Sequence, residues 1–595
     1  MALIVQKFGG TSVADSEKIL SAARKAIRAH QTGDQVVVVV SAMGKNTDHL
    51  IALAHEVNEH PNAREMDMLL ATGEQVSVAL MAMAIASLGY KAVSLTGAQI
   101  GIHTDSSHTK ARIRSISTER VRKLLDEGNI VIAAGFQGID ENFDITTLGR
   151  GGSDTTAVAL AAVLGAEQCE IYTDVDGVYT TDPRVLPEAR LTRQVSYDEM
   201  LELASLGASV MHNRSIEFGK KFNVPIHVRS SFSDRLGSLI VAEPEAPDQA
   251  VSGAALTKNE ARISLLDVPD VPEACYRIFA PVAAEKITVD MIVQNPAADG
   301  RSNLSFTVPR EEYEQTLNII RPIVEQLGAR LGDCSDSVSK ISAVGLGMAH
   351  QVGVAKRMFR CLANAEIDIQ MITTSEIKIS VLVDRGQALQ ALRVVHEEFQ
   401  LDKRPEAAVT NPFELLKTNP QAFSPAEVIS RLRGIDMEAL TVHDVTLDTA
   451  QSRITLPRLP NRAGVAARVF ESLAERGIFV DMILQSYFSA EYSDLSFTVP
   501  RSQFQQAQVV AKELSQELGL PEVKAKELIA KLTVSGIGLR SHTGMAIGMF
   551  DALMQAQIPV EMLNTSEVRV NVIVDGARAE EALKCLAGKF RGELS

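Results

Sequence analysis

The heptapeptide LSFTVPR occurs twice, at 304–310 and at 495–501, and the 191-residue offset between the two copies extends well beyond it. It aligns VDMIVQN (289–295) with VDMILQS (480–486), and 340–384 with 531–575, where 17 of 45 positions are identical without a gap. A block of roughly 145 residues has been duplicated in tandem. Each block holds two similar units. RITLPRLPNRAGVAARVFESLAERGIFVDMILQ (453–485) and KLTVSGIGLRSHTGMAIGMFDALMQAQIPVEMLN (531–564) both read strand, glycine-containing loop, helix, strand, and a second strand and helix follow. The pattern predicts four βαββαβ units, each a small sheet with two helices on one face. Small sheets have edges that need covering, so the units are expected to pair side by side, within or between chains.

Residues 1–245 follow a different pattern. Short apolar runs (LIVQKF 3–8, QVVVVVSAM 35–43, KAVSLTG 91–97, IVIAAGF 130–136, CEIYTD 169–174, PIHVRSS 225–231) alternate with helical stretches such as 16–30, where Ile19, Leu20, Ala23 and Ile27 share a face. Strands apolar on both faces, alternating with helices, predict a mostly parallel sheet in an αβα sandwich, with ligands at the carboxyl ends of the strands. The chain then divides into 1–245, a first pair of small units at 250–400, a Pro- and Asn-containing linker at 401–440, and a second pair at 441–595.

With a net charge of −15 and a pI of 5.4, the chain lacks the basic face of a nucleic-acid binder, though a local anion pocket is compatible with it. Five scattered cysteines without a CxxC pair predict free thiols in a reducing compartment. The N-terminus lacks a signal-peptide layout, and the longest apolar stretch, 76–90, is short for a bilayer and reads as a buried helix. A cytoplasmic protein without membrane association is expected.

Five glycine- or hydroxyl-rich stretches carry the candidate chemistry. KFGGTSV (7–13) places Lys7 at a strand end before Gly9 and Gly10, whose backbone suits close approach of phosphate oxygens; the same stretch also reads as a structural turn. LGRGGSDTTA (148–157) sets Arg150, Gly151, Gly152, Ser153 and Asp154 before an Ala-rich helix, with Ser153 and Asp154 in the N-cap region. An arginine there suits a carboxylate, or it is a surface residue beside a capped helix. TDVDGVYTTDPR (173–184) is a turn-rich loop offering Tyr179, Asp174, Asp182 and Arg184 to a nucleotide. Thr72-Gly73-Glu74 is read as the start of a helix, with Glu74 either answering the helix dipole or binding an ammonium group. Ser41 and Thr47 line the loop after the second strand.

Taken in order, KFGGTSV, SAMGKNT, TGEQVS, LGRGGSDTTA and DGVYTTDPR resemble the aspartate kinases of the amino-acid kinase family, over essentially the whole chain. The βαββαβ units resemble the ACT-type regulatory domains of these kinases, although four per chain departs from the usual two. The resemblance implies phosphoryl transfer from ATP with Mg²⁺ to the side-chain carboxylate of L-aspartate, feedback by lysine or threonine, and a homodimer. It implies no dedicated protein metal site. It assigns Lys7 to the transferring phosphate, Gly9 and Gly10 to backbone donation, and Asp154 to orienting Lys7. Arg150 and Glu74 fall to the α-carboxylate and α-ammonium of aspartate, with Ser41, Thr47, Gly151, Gly152 and Ser153 completing the substrate pocket. Phe8, Thr173, Asp174, Tyr179, Thr181, Asp182, Pro183 and Arg184 join Lys7, Gly9 and Gly10 at the nucleotide. His212 and His227 are expected to be structural. Within the family, acetylglutamate, glutamate or a nucleoside monophosphate are alternative acceptors, and a catalytically dead amino-acid sensor is the alternative from another class.

Regulatory ligands are expected at the loop before each unit's first helix and the strand after it. These positions are Asp270, Gln294 and Asn295 in the first unit, and Met348, Val352, Gly353, Asp368, Ser375 and Glu376 in the second. In the duplicate they are Asn461, Gln485, Thr543, Gly544, Ser566 and Glu567. The first unit carries Glu273 where the third, PNRAGV, keeps Gly464, so its site is expected to be altered. VGLGMAHQVG (344–353) resembles a dinucleotide fingerprint, but His350 stands where the third glycine belongs and the unit is not a long βαβ, so it reads as a regulatory loop.

Overall fold

A computed structural model describes residues 2–207, 210–296, 300–405, 436–438, 441–487, 489, 491–537 and 544–591. Most of the expected linker therefore lies outside the described residues, as does Thr543. In the N-terminal domain β1 (Leu3–Phe8), β2 (Gln35–Val40), β3 (Ala92–Leu95), β4 (Ile130–Ala134), β5 (Gln168–Thr173), β6 (Gln194–Ser196), β7 (Ile226–Ser230) and β8 (Ser238–Val241) form one sheet. Its order is β6-β8-β7-β5-β1-β2-β4-β3. All neighbours run parallel except β7 and β8. The run of valines in β2 shows why such strands are apolar throughout. Val36, Val38 and Val40 pack with Ile19, Ala23, Met81 and Ile85 of helices Ser16–Gln31 and Ala63–Ser87. Val37 and Val39 pack on the other face with Ala157, Leu160 and Ala161 of helix Gly152–Leu164. β1 lies between β2 and β5, so the chain leaves it in opposite directions across the sheet, and a crevice opens at its carboxyl end. A four-stranded mixed lobe (Ile102–Thr104, Ile113–Ile116, Gln137–Ile139, Ile145–Thr147), antiparallel except where Ile102–Thr104 meets Gln137–Ile139, forms a separate small sheet.

One element differs from the sequence reading. Thr72-Gly73-Glu74 does not start a helix; it lies in the middle of the 25-residue helix Ala63–Ser87, capped by Asn62, whose Oδ1 accepts from the Arg64 backbone N–H at 2.9 Å. Gly73 is tolerated there because the helix approaches the loop after β2 closely: a Cβ on Gly73 would sit 2.9 Å from the Ala42 Cβ. The helix is long and apolar enough to cross a membrane, but half of its apolar window is buried within the domain.

The four βαββαβ units are present, but they are interleaved. The 17-residue strand Gly253–Pro269 serves two of them. Its first part pairs with Ser335–Val344 of the second unit, and its second part with Arg301–Pro309 of the first, with register shifts where the partner changes. In the duplicate, Thr441–Asp448 pairs with Ile529–Ile537 of the fourth unit, while Gln451–Pro460 pairs with Tyr492–Pro500 of the third. The strand Gly253–Pro269 thus joins the first and second units in one continuous sheet, with irregularities that shift its register without ending it.

The two copies pack on each other. Strand Met371–Ser375 of the second unit extends into strand Ile483–Tyr487 of the third as an antiparallel pair, Ile372 opposite Gln485. The inward faces of all four units converge on ten buried residues. Met291, Val293, Val338, Met371 and Leu382 come from the first copy; Met482, Leu484, Ile529, Met562 and Ile573, each 191 positions on, come from the second. The alternating pattern of LSFTVPR shows the consequence. Leu304, Phe306 and Val308 face the helices, yet Ser305 and Thr307 on the opposite face are also buried, as are Ser496 and Thr498. Their hydroxyls are satisfied locally: Thr307 accepts from the Met291 N–H at 3.2 Å and Thr498 from the Met482 N–H at 3.0 Å.

Leu382→Ala and Ile573→Ala, at equivalent positions of this core, should each lower the stability of the regulatory half by about 2–4 kcal/mol. The exposed Leu389→Ala should stay within about 0.5 kcal/mol. Urea unfolding followed by circular dichroism makes the comparison, and three equal midpoints would show that the shared face is not a core.

Candidate active site

The crevice at the end of β1 is a cavity of about 910 Å³. Lys7, Gly10, Ser41, Thr47, Glu74, Arg150, Gly151, Gly152, Ser153 and Asp154 all line it, so residues scattered over about 150 positions meet at one place. Lys7, the penultimate residue of β1, turns its ammonium to Asp154 at 2.5 Å, and both are nearly buried. The chain then makes a short 3₁₀ turn at Gly10–Val13. Gly10 admits no side chain, since a Cβ would lie 2.9 Å from the Ala42 carbonyl oxygen. Gly44 donates its N–H to the Gly10 carbonyl at 3.0 Å, binding the loops after β1 and β2 together.

Helix Gly152–Leu164 begins at Gly151, in the left-handed region at φ 70°, and no side chain caps it. Asp154 stands in its first turn. The uncapped N–H groups are left for an anion in the cavity. Gly151 is required twice over, by its φ and because a Cβ would overlap the His212 side chain, 2.2 Å from its Cβ. His212 is thus packing against the turn, and burial beside Arg214 lowers its pKa, keeping it neutral. His227 is fully structural: its Nε2 contacts the Leu236 carbonyl at 2.5 Å, and burial lowers its pKa to about 4.

Glu74 is 3% exposed. Its Oε1 accepts from the Ala42 N–H at 3.0 Å, and its Oε2 is buried without a partner among the described residues. Desolvation raises its pKa to about 7. A buried carboxylate with a free oxygen facing a cavity suits a cation arriving with a ligand. Arg150 is exposed and no described residue pairs with it. The cavity therefore sets positive groups (Lys7, the helix terminus, Arg150) around one buried, half-satisfied carboxylate (Glu74).

The other expected nucleotide residues lie outside this cavity. Phe8 is fully buried, stacked on Tyr172 with ring centroids 4.7 Å apart, so only its backbone is available. Thr173 ends β5 beside β1, and its hydroxyl donates to Asp174 at 3.2 Å. Asp182 and Arg184 pair with each other at 2.8 Å, Thr181 is buried, and the adjacent Thr180 contacts His396 of the second unit at 3.1 Å. Thr181–Arg184 with Pro183 thus form part of the junction with the regulatory half, while Tyr179 bridges to Leu191. Sequence reasoning missed several residues. Lys110, Arg112, Arg214 and Glu438 line the cavity. Ser233 and Arg235 hold Asp176, in the loop expected to meet the nucleotide, at 2.8 Å each. None falls in a glycine-rich motif; the basic pair in HTKAR was the visible signal for Lys110 and Arg112.

In the regulatory half, two cavities are related by the 191-residue offset. The larger, about 350 Å³, is lined by Met348, Val352, Gly353, Ser375 and Glu376 together with Phe470 and Asp481 of the other copy. The smaller, about 110 Å³, is lined by Ser566, Glu567 and Phe550 together with Phe279 and Asp290. Ser375 Oγ is buried without a partner among the described residues. Asp290 and Asp481 were not anticipated. Asp270, Gln294, Asn295, Asp368, Asn461 and Gln485 do not line either cavity. Gln294 is satisfied within its own unit, accepting from the Cys275 thiol at 3.3 Å and donating to Ser302 at 3.2 Å. Asn295 instead reaches across the copies, donating to Ser486 at 2.8 Å and to the Asp494 carbonyl at 2.9 Å.

Among the described residues, the pseudo-symmetry of the two cavities is broken beside Glu376 and Glu567. Beside the larger, Arg569 pairs with Glu376. The equivalent residues beside the smaller are Lys378 and Glu567, and here Glu202, fully buried on helix Tyr197–Ser205 of the N-terminal domain, enters. Glu202 holds the Lys378 ammonium at 2.8 Å and accepts from the Glu567 N–H at 3.1 Å; Asn213 donates to the Glu567 carboxylate at 2.9 Å.

The amino acid kinase family model matches residues 2–230, and the ACT domain model matches 341–399, 458–514 and 532–590, within the second, third and fourth units. An aspartate kinase of Pseudomonas putida is 50% identical over 406 residues, covering 68% of this chain and 98% of that protein. Aspartokinase 2 of Bacillus subtilis is 48% identical over 408 residues, covering 68% of this chain and all of that protein. Among solved structures, an aspartate kinase from Synechocystis is 37% identical and covers 99% of this chain and 98% of its own, with a TM-score of 0.52. With the cavity at the carboxyl end of β1 and the regulatory units behind it, the chain belongs to the amino acid kinase family and, within it, to the aspartate kinases.

Proposed function

We propose that this chain transfers the γ-phosphoryl group of ATP to the side-chain carboxylate of L-aspartate, giving 4-phospho-L-aspartate, the entry step toward lysine, threonine and methionine. The observation that carries the reading is the convergence of the Lys7–Asp154 pair with Arg150 and the buried Glu74 in one cavity. Arg150 suits the α-carboxylate of a free amino acid, and Glu74 its α-ammonium. The acceptor carboxylate is already ionised at pH 7, so the step requires no general base. The obstacle is repulsion between an anionic nucleophile and a polyanionic donor. Lys7, the Gly10 backbone and the N–H groups of Ser153 and Asp154 in the first turn of the uncapped helix answer it by placing positive charge where the phosphoryl group passes. The Gly9 N–H is not available for this, since it donates to the Tyr172 carbonyl at 3.3 Å. Mg²⁺ bound with the nucleotide neutralises phosphate charge, and Asp154 is the carboxylate beside Lys7 that suits such an ion.

The regulatory half fits feedback by lysine, threonine or both, at the cavities between the copies. Each cavity presents a hydroxyl, a glutamate and an aspartate, an acceptor-rich set suited to an amino acid's ammonium group. A ligand acts on catalysis only through contacts that differ between states. Glu202 supplies the physical link, since it ties the wall of the smaller cavity to the N-terminal domain.

Lys7→Ala should lower kcat at least a hundredfold with an unchanged circular dichroism spectrum, measured as aspartate-dependent ADP release. Near-normal turnover would remove Lys7 from the reaction.

Because Glu74 must be ionised to hold an ammonium and its pKa lies near 7, the KM for aspartate should fall about tenfold between pH 6 and pH 8 while that for ATP stays flat. Glu74→Gln should raise the KM and flatten its pH profile. A pH-independent KM in the wild type would dissociate Glu74 from the substrate ammonium.

Replacing the ion pair by Glu202→Gln/Lys378→Met avoids stranding one buried charge. Basal kinetics should persist, while half-inhibition by lysine or threonine, singly or together, should shift at least fivefold. Superimposable inhibition curves would rule out this junction as the link.

A further inference from the structure

Residues Asp436–Glu438 lie between the two regulatory copies in sequence, yet they are built into the N-terminal domain. Met437 is 2% exposed and belongs to that domain's core. Its N–H donates to the Arg114 carbonyl at 3.0 Å and that of Glu438 to the Ile113 carbonyl at 3.2 Å, while the Ile113 N–H donates to Glu438 Oε2 at 2.5 Å. The segment thus adds a short stretch of backbone to the edge strand of the small lobe. The carboxylate of Glu438 takes two bonds from one guanidinium, Arg214 Nε at 2.8 Å and Nη2 at 2.9 Å. The same guanidinium donates to the Leu148 carbonyl at 2.5 Å and to the Ala111 carbonyl at 2.9 Å. Both side chains are nearly buried, and both line the catalytic cavity.

Arg214 is therefore a hub. It joins the helix Asn213–Phe222, the small lobe at Ala111 and the carbonyl of Leu148, the residue that opens the Gly149–Gly152 turn carrying Arg150. That turn has little stiffness of its own, with Gly149 at φ 77° and Gly151 at φ 70°. A planar guanidinium keeps its direction when a carboxylate accepts from two of its N–H groups. Without that carboxylate a nearly buried cation lacks its counter-charge and turns toward the nearest anion, including one in the cavity. The nucleotide loop at 173–184 makes none of these contacts.

We propose that Glu438, supplied by the segment joining the two regulatory copies, is a positioning residue for the acceptor side of the reaction, acting through Arg214 on the Arg150 turn. The inference rests on the reading that Arg150 grips the acceptor's α-carboxylate. It also gives the duplicate a covalent route to the cavity, because the segment enters the second copy directly after Glu438.

The test is steady-state kinetics of the full chain carrying Glu438→Gln or Glu438→Asp. Glu438→Gln should raise the KM for aspartate five- to twentyfold, leave that for ATP within twofold, and leave the melting temperature of the N-terminal domain within a few degrees. Glu438→Asp, which keeps the charge, should recover part of the loss. If the Gln variant melts early, the Asp variant carries the test by the same split between the two KM values. Unchanged KM values, equal rises for both substrates, or a fall in the KM for aspartate would overturn the proposal; the last would make Glu438 a competitor of the substrate. A wild-type chain without aspartate-dependent ADP release would instead refute the assignment of the acceptor, so the two failures are distinct.

Discussion

The regulatory half depends on ten apolar side chains that the two copies bury against each other. Because the copies are related in sequence, they meet as two subunits of a twofold dimer would, each offering the same face. The contacts show the reciprocity: Thr374 donates to the Asp481 carbonyl at 3.4 Å, and Thr565, its equivalent, donates to the Asp290 carbonyl at 3.2 Å. An association that separate chains reach only at sufficient concentration is made intramolecular by the connection between the copies. The Pseudomonas putida and Bacillus subtilis relatives align over nearly their whole length with only 68% of this chain, so they lack room for the second copy. In this chain the face is covered from within.

Internal symmetry raises a problem that two equal halves do not solve alone: one catalytic domain must be connected to a structure with two equivalent sides. The connection is made by breaking the equivalence. Glu202 enters beside Lys378 and Glu567, whereas Arg569 and Glu376, the corresponding residues, pair across the copies.

At the catalytic cavity, charge is arranged by burial as much as by residue type. Lys7 and Asp154 neutralise each other at the floor. Glu74 is left buried with one oxygen without a partner among the described residues, and desolvation raises its pKa to about 7. The glycines set the geometry: Gly10, Gly73 and Gly151 stand where a side chain would collide with a neighbouring loop, helix or histidine. These close approaches bring the loops after β1 and β2, the middle of helix Ala63–Ser87 and the turn before helix Gly152–Leu164 to one crevice.

By itself the sequence determined the fold class, the duplication and the residues of the cavity floor. Buried parallel strands must be apolar on both faces, as at Val36–Val40, and residues that cradle phosphate must include glycine and lysine at a strand end, as at Lys7–Gly10. Local periodicity and short motifs carry that information directly. It misplaced Glu74 at a helix start, because a Thr-Gly pair reads locally as a break, and only packing of Gly73 against Ala42 shows why the helix runs on. Tertiary structure alone decided that the units interleave through the strand Gly253–Pro269, that Ser305 and Thr307 face a buried interface, and that Asp290 and Asp481 line the regulatory cavities in place of Asp270 and Asn461. It alone placed Glu438 beside Arg214, 224 residues away along the chain. Such contacts leave no periodic trace, because each is set by where two distant segments happen to be brought together.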